Sequence, residues 1–503
     1  MGTFDLLMQG FAICFTAENL AFIFLGVLIG QVVGALPGIG PAAGMALLLP
    51  LTFGLAPVTA VMMLAGIMYG GQYGGTLTSV LINVPGEASG VMTAVDGHQM
   101  ARAGRAGAAL SISAIGSFLA GVAACAAVAL VTPLLSGFAL RFNAPEYFLL
   151  GVLGLTAAAS LGSSPVRALI AAAMGLMIAL VGTDPITGTP RLNFDQPALF
   201  EGIDFIPVAI GVFGIAEVLA SLEKSEEVKP IRTRLRDMWL TAEEWSQSRF
   251  AIVRGGIIGL LVGTMPGAGA SVASMLAYLN ERKFSRHPER FGKGAIDGVA
   301  AAEAANNAAS HGALIPMLAL GIPGSASTAV LLAALILHGI QPGPRLLTQE
   351  TTLVWGLIAS MFVGNVMLLI INLPLAPLFA ALLRIRYVYL APSILALSLV
   401  GAYAATLDMG TVWMCLFFGV FGWLMIKFDI PRPPLVLAVV LAKLVEVSLR
   451  QSLLLSFGSL SIFVERPISA ILLVLVLVII GLPMVQAFRR TRAKRGLQGG
   501  NIP

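Results

Sequence analysis

Residues 468–488, ISAILLVLVLVIIGLPMVQAF, run for twenty-one positions without a charged side chain. A helix of that length rises about 30 Å, the thickness of a bilayer's hydrocarbon core. Further apolar runs cover residues 107–132, 147–162, 165–182, 252–265, 352–373 and 388–406. A membrane β-barrel would need short segments of alternating polarity, and these uniform runs are not that. The whole chain agrees: 57% of it is hydrophobic and 11% charged, where soluble domains carry roughly 25% charge. The expected fold is an all-α polytopic membrane protein, with about twelve transmembrane or re-entrant helices, several too short or too glycine-rich for ordinary spans.

Two of the apolar runs end in the same way. GALPGIGPAAG (34–44) and GTMPGAGASVA (263–273) share the pattern G-x-x-P-G-x-G, with Pro266 falling 229 positions after Pro37. Each half then repeats a second break, Pro85-Gly86 and Pro323-Gly324, beyond a Gly-, Asn- or Ser-rich stretch. Inside a membrane a broken helix leaves backbone N–H and C=O groups that are tolerable only within protein or beside a polar cavity. Glycine lets the backbone approach a ligand, and a restarted helix offers its positive end to carboxylates. Any one break is equally explained by close packing and kinking; four in matched order point to a binding cavity.

Charge orients the chain. The net charge of +5 sits mostly in loops and at the C-terminus, which speaks for membrane orientation and not for nucleic acid. Basic residues gather at 222–250 (Lys224, Lys229, Arg232, Arg234, Arg236, Arg249), in ERKFSRHPERFGKG (Arg282, Lys283, Arg286, Arg290, Lys293) and in the tail (Arg489, Arg490, Arg492, Lys494, Arg495). All three are expected to face the cytoplasm, with WLTAEEWSQSRF as a short amphipathic helix at the interface. In the first half the loop after the first break is uncharged and the later turn holds Arg102 and Arg105. In the second half the first loop holds five basic residues and the later turn only Arg345. Corresponding loops on opposite sides of the membrane make an inverted-topology repeat. The expected organisation is a first membrane repeat at 1–221, a basic linker at 222–251, a second repeat at 252–450, and at 451–503 an additional C-terminal helix with a cytoplasmic tail. Cys14, Cys125 and Cys415 stand apart in apolar surroundings, with neither disulfide nor metal spacing. The N-terminus lacks a basic n-region and a clear cleavage site, so residue 1 is expected to stay.

One charged residue falls where a membrane helix would bury it. In GAIDGVAAAEAANNAASHGA, Glu303, Asn306, Asn307 and Ser310 occur at i, i+3, i+4 and i+7, a single polar stripe on a small apolar helix. A carboxylate beside amides and a hydroxyl supplies the hard oxygen ligands that Na⁺ or a carried proton uses; Asn307 or Ser310 alone reads equally as glue between helices. The first-half counterpart, YGGQYGGTLTS, has no acid, only Gln72, Tyr73, Thr76, Thr78 and Ser79, so a charged coupling site is asymmetric. Asn83, Glu87, Asp96 and His98 surround the first Pro-Gly break of this second kind, Glu87 being the next acid in line; Asp96 and His98 read as a D-G-H turn at the membrane surface. His311 reads as a proton carrier or an interfacial residue. No H-E-x-x-H, P-loop or nucleophile elbow is present, so enzyme chemistry is not expected, nor any cofactor or metal beyond a coupling Na⁺ or H⁺.

GALPGIGPAAGMALLLPLT, YGGQYGGTLTSVLINVPGEASGVMTAVDGHQMARAGRAG and the stretch from GTMPGAGASVA through AEAANNAASHGALIPMLALGIPG resemble the large membrane subunit of the tripartite tricarboxylate transporters over nearly the whole chain. The resemblance implies a multi-pass secondary transporter of the bacterial inner membrane. It implies as partners a small membrane subunit and a periplasmic solute-binding protein that delivers a citrate-like carboxylate, with Na⁺ or proton symport. The family's Pro-Gly motifs fall on Gly34, Pro37, Gly38, Gly40 and on Gly263, Pro266, Gly267, Gly269, and its acidic motif on Glu303, Asn306 and Asn307. Where the family commonly has Pro before that acid, this chain has Ala302. The substrate cavity is expected to gather these breaks with Pro85, Gly86, Ser89, Ser271, Pro323, Gly324, Ser325, Ser327 and Thr328, their amides and hydroxyls holding carboxylate oxygens. A membrane scaffold or channel component is the alternative.

Overall fold

The computed structural model describes residues 2–36, 40–160, 164–184, 186–196, 199–223, 231, 235–265, 269–382 and 387–479. Pro37, Gly38, Pro266 and Gly267, much of the basic linker, and the end of the C-terminal helix with its tail lie outside them. The described chain is helical apart from a two-residue antiparallel pairing, Gly182–Thr183 with Pro190–Arg191. By length and composition five helices can cross a membrane: Ala17–Gly34, the stretch Ala88–Ala139, Phe205–Glu223, Thr351–Leu375 and Met409–Lys427, with shorter apolar helices beside them. This is an all-α polytopic membrane protein.

Contacts divide the chain into two units. The first comprises residues 1–140 and 204–428, the second 141–203 and 429–503. The first has two buried helices at its centre, Pro57–Ile82 and Ile296–Gly312. Gly26, Gly30 and Gly34 form a stripe at every fourth residue of Ala17–Gly34, and a methyl at any of them would strike the backbones of Met63, Ile67 and Gly71. Gly255, Gly259 and Gly263 of Ala242–Gly263 meet Ala301, Ala305 and Ala309 in the same way. Without a hydrophobic drive between helices in lipid, such small-residue seams are what bring backbones close enough for dispersion to hold them.

The two seams share one register. The glycines are 229 positions apart and their partners 238, the nine extra residues lying between them in the stretch that contains the longer basic loop. Backbone conformations recur at the same offsets. Gly40 (φ 63°) and Gly269 (φ 62°) both begin helices, Gly40–Leu48 and Gly269–Phe284, in a left-handed conformation that a side chain would strain. Asn83 (φ 57°) and Gly321 (φ 73°) end helices in the same region. The chain then restarts from extended residues, Glu87 (φ −146°, ψ 170°) and Ser325 (φ −152°, ψ 170°).

Packing runs crosswise between the halves. Ala106–Ala139 lies on Ile296–Gly312, and Thr351–Leu382 on Pro57–Ile82. Gly40–Leu48 packs against Ala326–Leu337, and Gly269–Phe284 against Ala88–Gly90. Two corrections to the sequence reading arise here. WLTAEEWSQSRF is not a separate interfacial helix: a Thr241–Glu244 capping box starts a helix that continues unbroken through GGIIGLLVG to Gly263. The D-G-H triplet is not a surface turn, because it lies within the helix Val91–Met100 with Asp96 fully buried.

The second unit is built on Ala144–Ser160 and Pro165–Ala179, both packed on Arg432–Leu455. Gly175 sits against the Leu435 backbone, and buried Glu146 accepts from Arg466 Nε at 2.6 Å.

Candidate functional site

Glu303 is 1% exposed on Ile296–Gly312. An ionised carboxylate so deep must collect donors, and here they are all hydroxyls from the other half of the chain. Thr93 Oγ1 donates to Oε1 at 2.5 Å, Thr76 Oγ1 to Oε2 at 2.9 Å, and Ser117 Oγ lies 3.5 Å from Oε2. Thr76 belongs to Pro57–Ile82, Thr93 to Val91–Met100 and Ser117 to Ala106–Ala139. Among the described residues no Lys, Arg or His forms an ion pair with it. The carboxylate is hydrogen-bonded but not neutralised.

The rest of the stripe surrounds it, buried along its whole length. Asn307 Nδ2 donates to Ser117 Oγ at 2.6 Å, and Ser310 Oγ turns back to the Asn306 carbonyl at 3.1 Å. Among the described residues the side-chain oxygens of Asn306 and Asn307 have no partner, nor do Gln72 Oε1, Tyr69 Oη and Tyr73 Oη. Buried acceptors left without donors are uncommon in folded proteins; beside an unneutralised carboxylate they form a setting that a cation completes. A small cavity adjoins it, lined by Tyr73, Thr76, Ser113 and Asn372 among others, where Asn372 exchanges amide hydrogen bonds with Gln31. Among the described residues no group of three His, Cys, Asp or Glu side chains could hold a metal.

His311 closes the end of the stripe. Its Nδ1 faces the Asn307 carbonyl at 2.8 Å, so Nδ1 carries the proton, and Nε2 accepts from Asn365 Nδ2 at 2.9 Å. The ring is a neutral imidazole stacked on Tyr69, centroids 4.7 Å apart. It is interior, not interfacial.

The described parts of the breaks meet in pairs. Gly86 has room for no side chain, since a methyl there would press on Gly75 Cα at 2.7 Å and the Gly34 carbonyl at 2.5 Å. Glu87 Cβ lies against Gly40, and Ser89 Oγ donates to Glu87. Ser325 and Thr328 spend their hydroxyls on each other's backbone N–H in a capping box. Ser327 is buried, whereas Ser271 is exposed. In the first-half counterpart of the stripe, Thr78 and Ser79 both fold back on the Gly75 carbonyl, and only Thr76 reaches the acid.

Thr93, Ser117, Asn365 and Asn372 were not picked out from sequence. Ser117, Asn365 and Asn372 are scattered polar residues in long apolar helices and Thr93 is one of several in a short helix, patterns shared with ordinary packing contacts; what marks them is the partner across the chain.

Residues 20–437 match the tripartite tricarboxylate transporter TctA family, a span that includes both pairs of breaks, Glu303 and every hydroxyl around it. The chain belongs to that family. As a TctA-family protein it is a membrane component of a tricarboxylate transporter. It is 43% identical over 418 residues, 83% of each chain, to an uncharacterised 52.8 kDa protein in the TAR-I ttuC′ 3′ region of Agrobacterium vitis. An uncharacterised protein in the TAR-II ttuC′ 3′ region of the same organism is 41% identical over 234 residues, 46% of this chain and 97% of that one. No solved structure matches this TctA-family chain.

Proposed function

We propose that this protein is the translocating subunit of a cation-coupled uptake system for a small di- or tricarboxylate, citrate-like, in the bacterial inner membrane. A periplasmic solute-binding protein would deliver the substrate, and a small membrane subunit would complete the assembly. The observation that carries this reading is Glu303: a buried carboxylate from one half, held among the described residues by neutral hydroxyls of the other, beside amide oxygens that have no partner there. A buried charge of that kind is costly when bare and favourable when protonated or joined by Na⁺, so its occupancy can bias which half moves. Substrate carboxylates would be met by the restarted helices and backbone amides at the four breaks.

The crosswise contacts support an inverted repeat. The ring of Phe53, in the first loop of the first half, lies tilted against His338, in the later turn of the second, with centroids 6.2 Å apart. Gly294, in the first loop of the second half, touches Met100 beside the later turn of the first. That turn carries Arg105, which pairs with Glu244 of the basic linker. Basic segments thus gather on one face, which the positive-inside rule assigns to the cytoplasm.

The test is uptake of labelled citrate, against imposed Na⁺ and pH gradients, in vesicles holding all three components. Wild type should accumulate substrate with one of the gradients, and E303Q should lose that accumulation while inserting normally. Equilibration without accumulation in wild type would favour a channel, and no flux at all a scaffold. Undiminished accumulation in E303Q would remove Glu303 from coupling.

A further inference from the structure

A second carboxylate stands at the same site without a role. Glu87 is the extended residue from which the chain restarts after the Pro85-Gly86 break, half-buried, with the Ser89 hydroxyl donating to Oε1. Its Cγ lies 3.8 Å from where a side chain at Gly75 would begin, and Gly75 is the neighbour of Thr76, which donates to Glu303. Across the interface the helix Ile296–Gly312, which carries both Glu303 and Asn306, packs on Ala88–Gly90 directly after Glu87. Asn306 is 1% exposed and its side-chain oxygen has no partner among the described residues. Carboxylates from both halves are therefore brought near a buried amide oxygen that has no partner among the described residues. Two like charges in such a place repel unless cations or protons lie between them.

We propose that Glu87, with the orphaned oxygen of Asn306, forms a second monovalent-cation site beside Glu303, so that each cycle carries two cations. This rests on the cation-coupled reading above and extends it to stoichiometry. The two sites differ in kind. Glu303 is carried within the helix Ile296–Gly312 and hydrogen-bonded by three hydroxyls, whereas Glu87 sits at a helix break against Gly40 and Gly75. Glu87 is thus placed to bind its cation together with substrate. Charge argues the same way: a tricarboxylate anion carries three negative charges, and no Lys or Arg among the described residues forms an ion pair with either acid. Among the described residues the titratable Tyr73 lines a cavity with Thr76, the donor to Glu303.

The test uses the purified full-length subunit in detergent and reads its melting temperature against Na⁺ at fixed pH, then against pH without Na⁺. A cation that binds the folded protein raises the melting temperature, with a slope against log concentration set by the number of ions bound. For whichever cation is active, E87Q should lower that slope by about half, as should E303Q, and the double variant should abolish it. Citrate uptake should show a Hill coefficient of about two in wild type and about one in E87Q. Should E87Q fail to purify, N306A, an alanine in a helix already rich in alanine, should raise the half-saturating cation concentration about fivefold or more. A wild-type slope and Hill coefficient in E87Q, or unchanged half-saturation in N306A, overturns the second site and leaves Glu303 standing. A wild type insensitive to both cations overturns the coupled reading as well.

Discussion

The Tyr278 hydroxyl donates to Asp96 Oδ2 at 2.7 Å, and this bond joins the two halves of the chain. The other carboxylate oxygen accepts the backbone N–H groups of Gly294 and Ala295, at 2.7 and 3.0 Å. Ala295 is the N-cap of Ile296–Gly312, so an acid of the first half caps the helix that carries Glu303 in the second. D96A would leave a buried and a half-buried amide and a phenol without their acceptor and should destabilise the protein by about 2 kcal/mol or more. D96N, which keeps an acceptor for the amides, and Y278F should each be milder, about 1 kcal/mol. Thermal unfolding in detergent checks the order; an unchanged melting temperature in D96A would mean that the cap contributes nothing.

The glycine seams predict a graded set of alanine effects. At Gly30 a methyl meets the Ile67 backbone and at Gly259 the Ala305 backbone, neither able to give way without parting two central helices. G30A and G259A should each lose about 1–3 kcal/mol through overpacking. Gly54 and Gly137 have none of the described residues within 4 Å of an added methyl, and their alanine variants should fold as wild type. If all four behaved alike, close backbone approach would not be what the glycines provide.

How far the sequence revealed this arrangement depended on whether a signal was local. The stripe at Glu303, Asn306, Asn307 and Ser310 was legible because helical spacing alone places it on one face, and burial follows from its small neighbours. The second breaks were legible from Pro85-Gly86 and Pro323-Gly324, and the structure ends a helix just before each. Asp96 was misread because the D-G-H triplet has turn chemistry locally, whereas tertiary contacts with Tyr278 and Gly294 keep it helical and buried. The donors Thr76, Thr93 and Ser117 were illegible as a set. Their common property is a partner 186 to 227 positions away, which no periodicity encodes.

Acid should loosen the second unit through Asp184. The backbone N–H of Thr187, then that of Ile186, together with the Arg450 guanidinium, hold its carboxyl well below the usual carboxylate range. Arg191 stands 3.4 Å away and also pairs with Glu446. A group whose pKa is depressed by folding adds stability that is complete above its unfolded value, about 3.9, and lost as pH falls toward the folded one. The melting temperature of wild type should therefore drop as pH falls below about 4, and D184N should start lower and respond less steeply. A parallel acid limb in the two proteins would show that Asp184 does not carry it.

Cysteine labelling from outside intact cells examines the inverted arrangement directly. Native Cys14, Cys125 and Cys415 are all buried, so background is low. R102C and R286C replace exposed residues of the face where basic segments gather; G54C and Q341C replace exposed residues of the two loops that meet at Phe53 and His338. If corresponding loops of the two halves lie on opposite sides, an impermeant maleimide should label G54C and Q341C in intact cells, and R102C and R286C only after permeabilisation. Residues 54 and 286 come from equivalent loops of the two halves, as do 102 and 341. A parallel duplication therefore groups 54 with 286 and 102 with 341, and that outcome would replace the inverted repeat with a direct one.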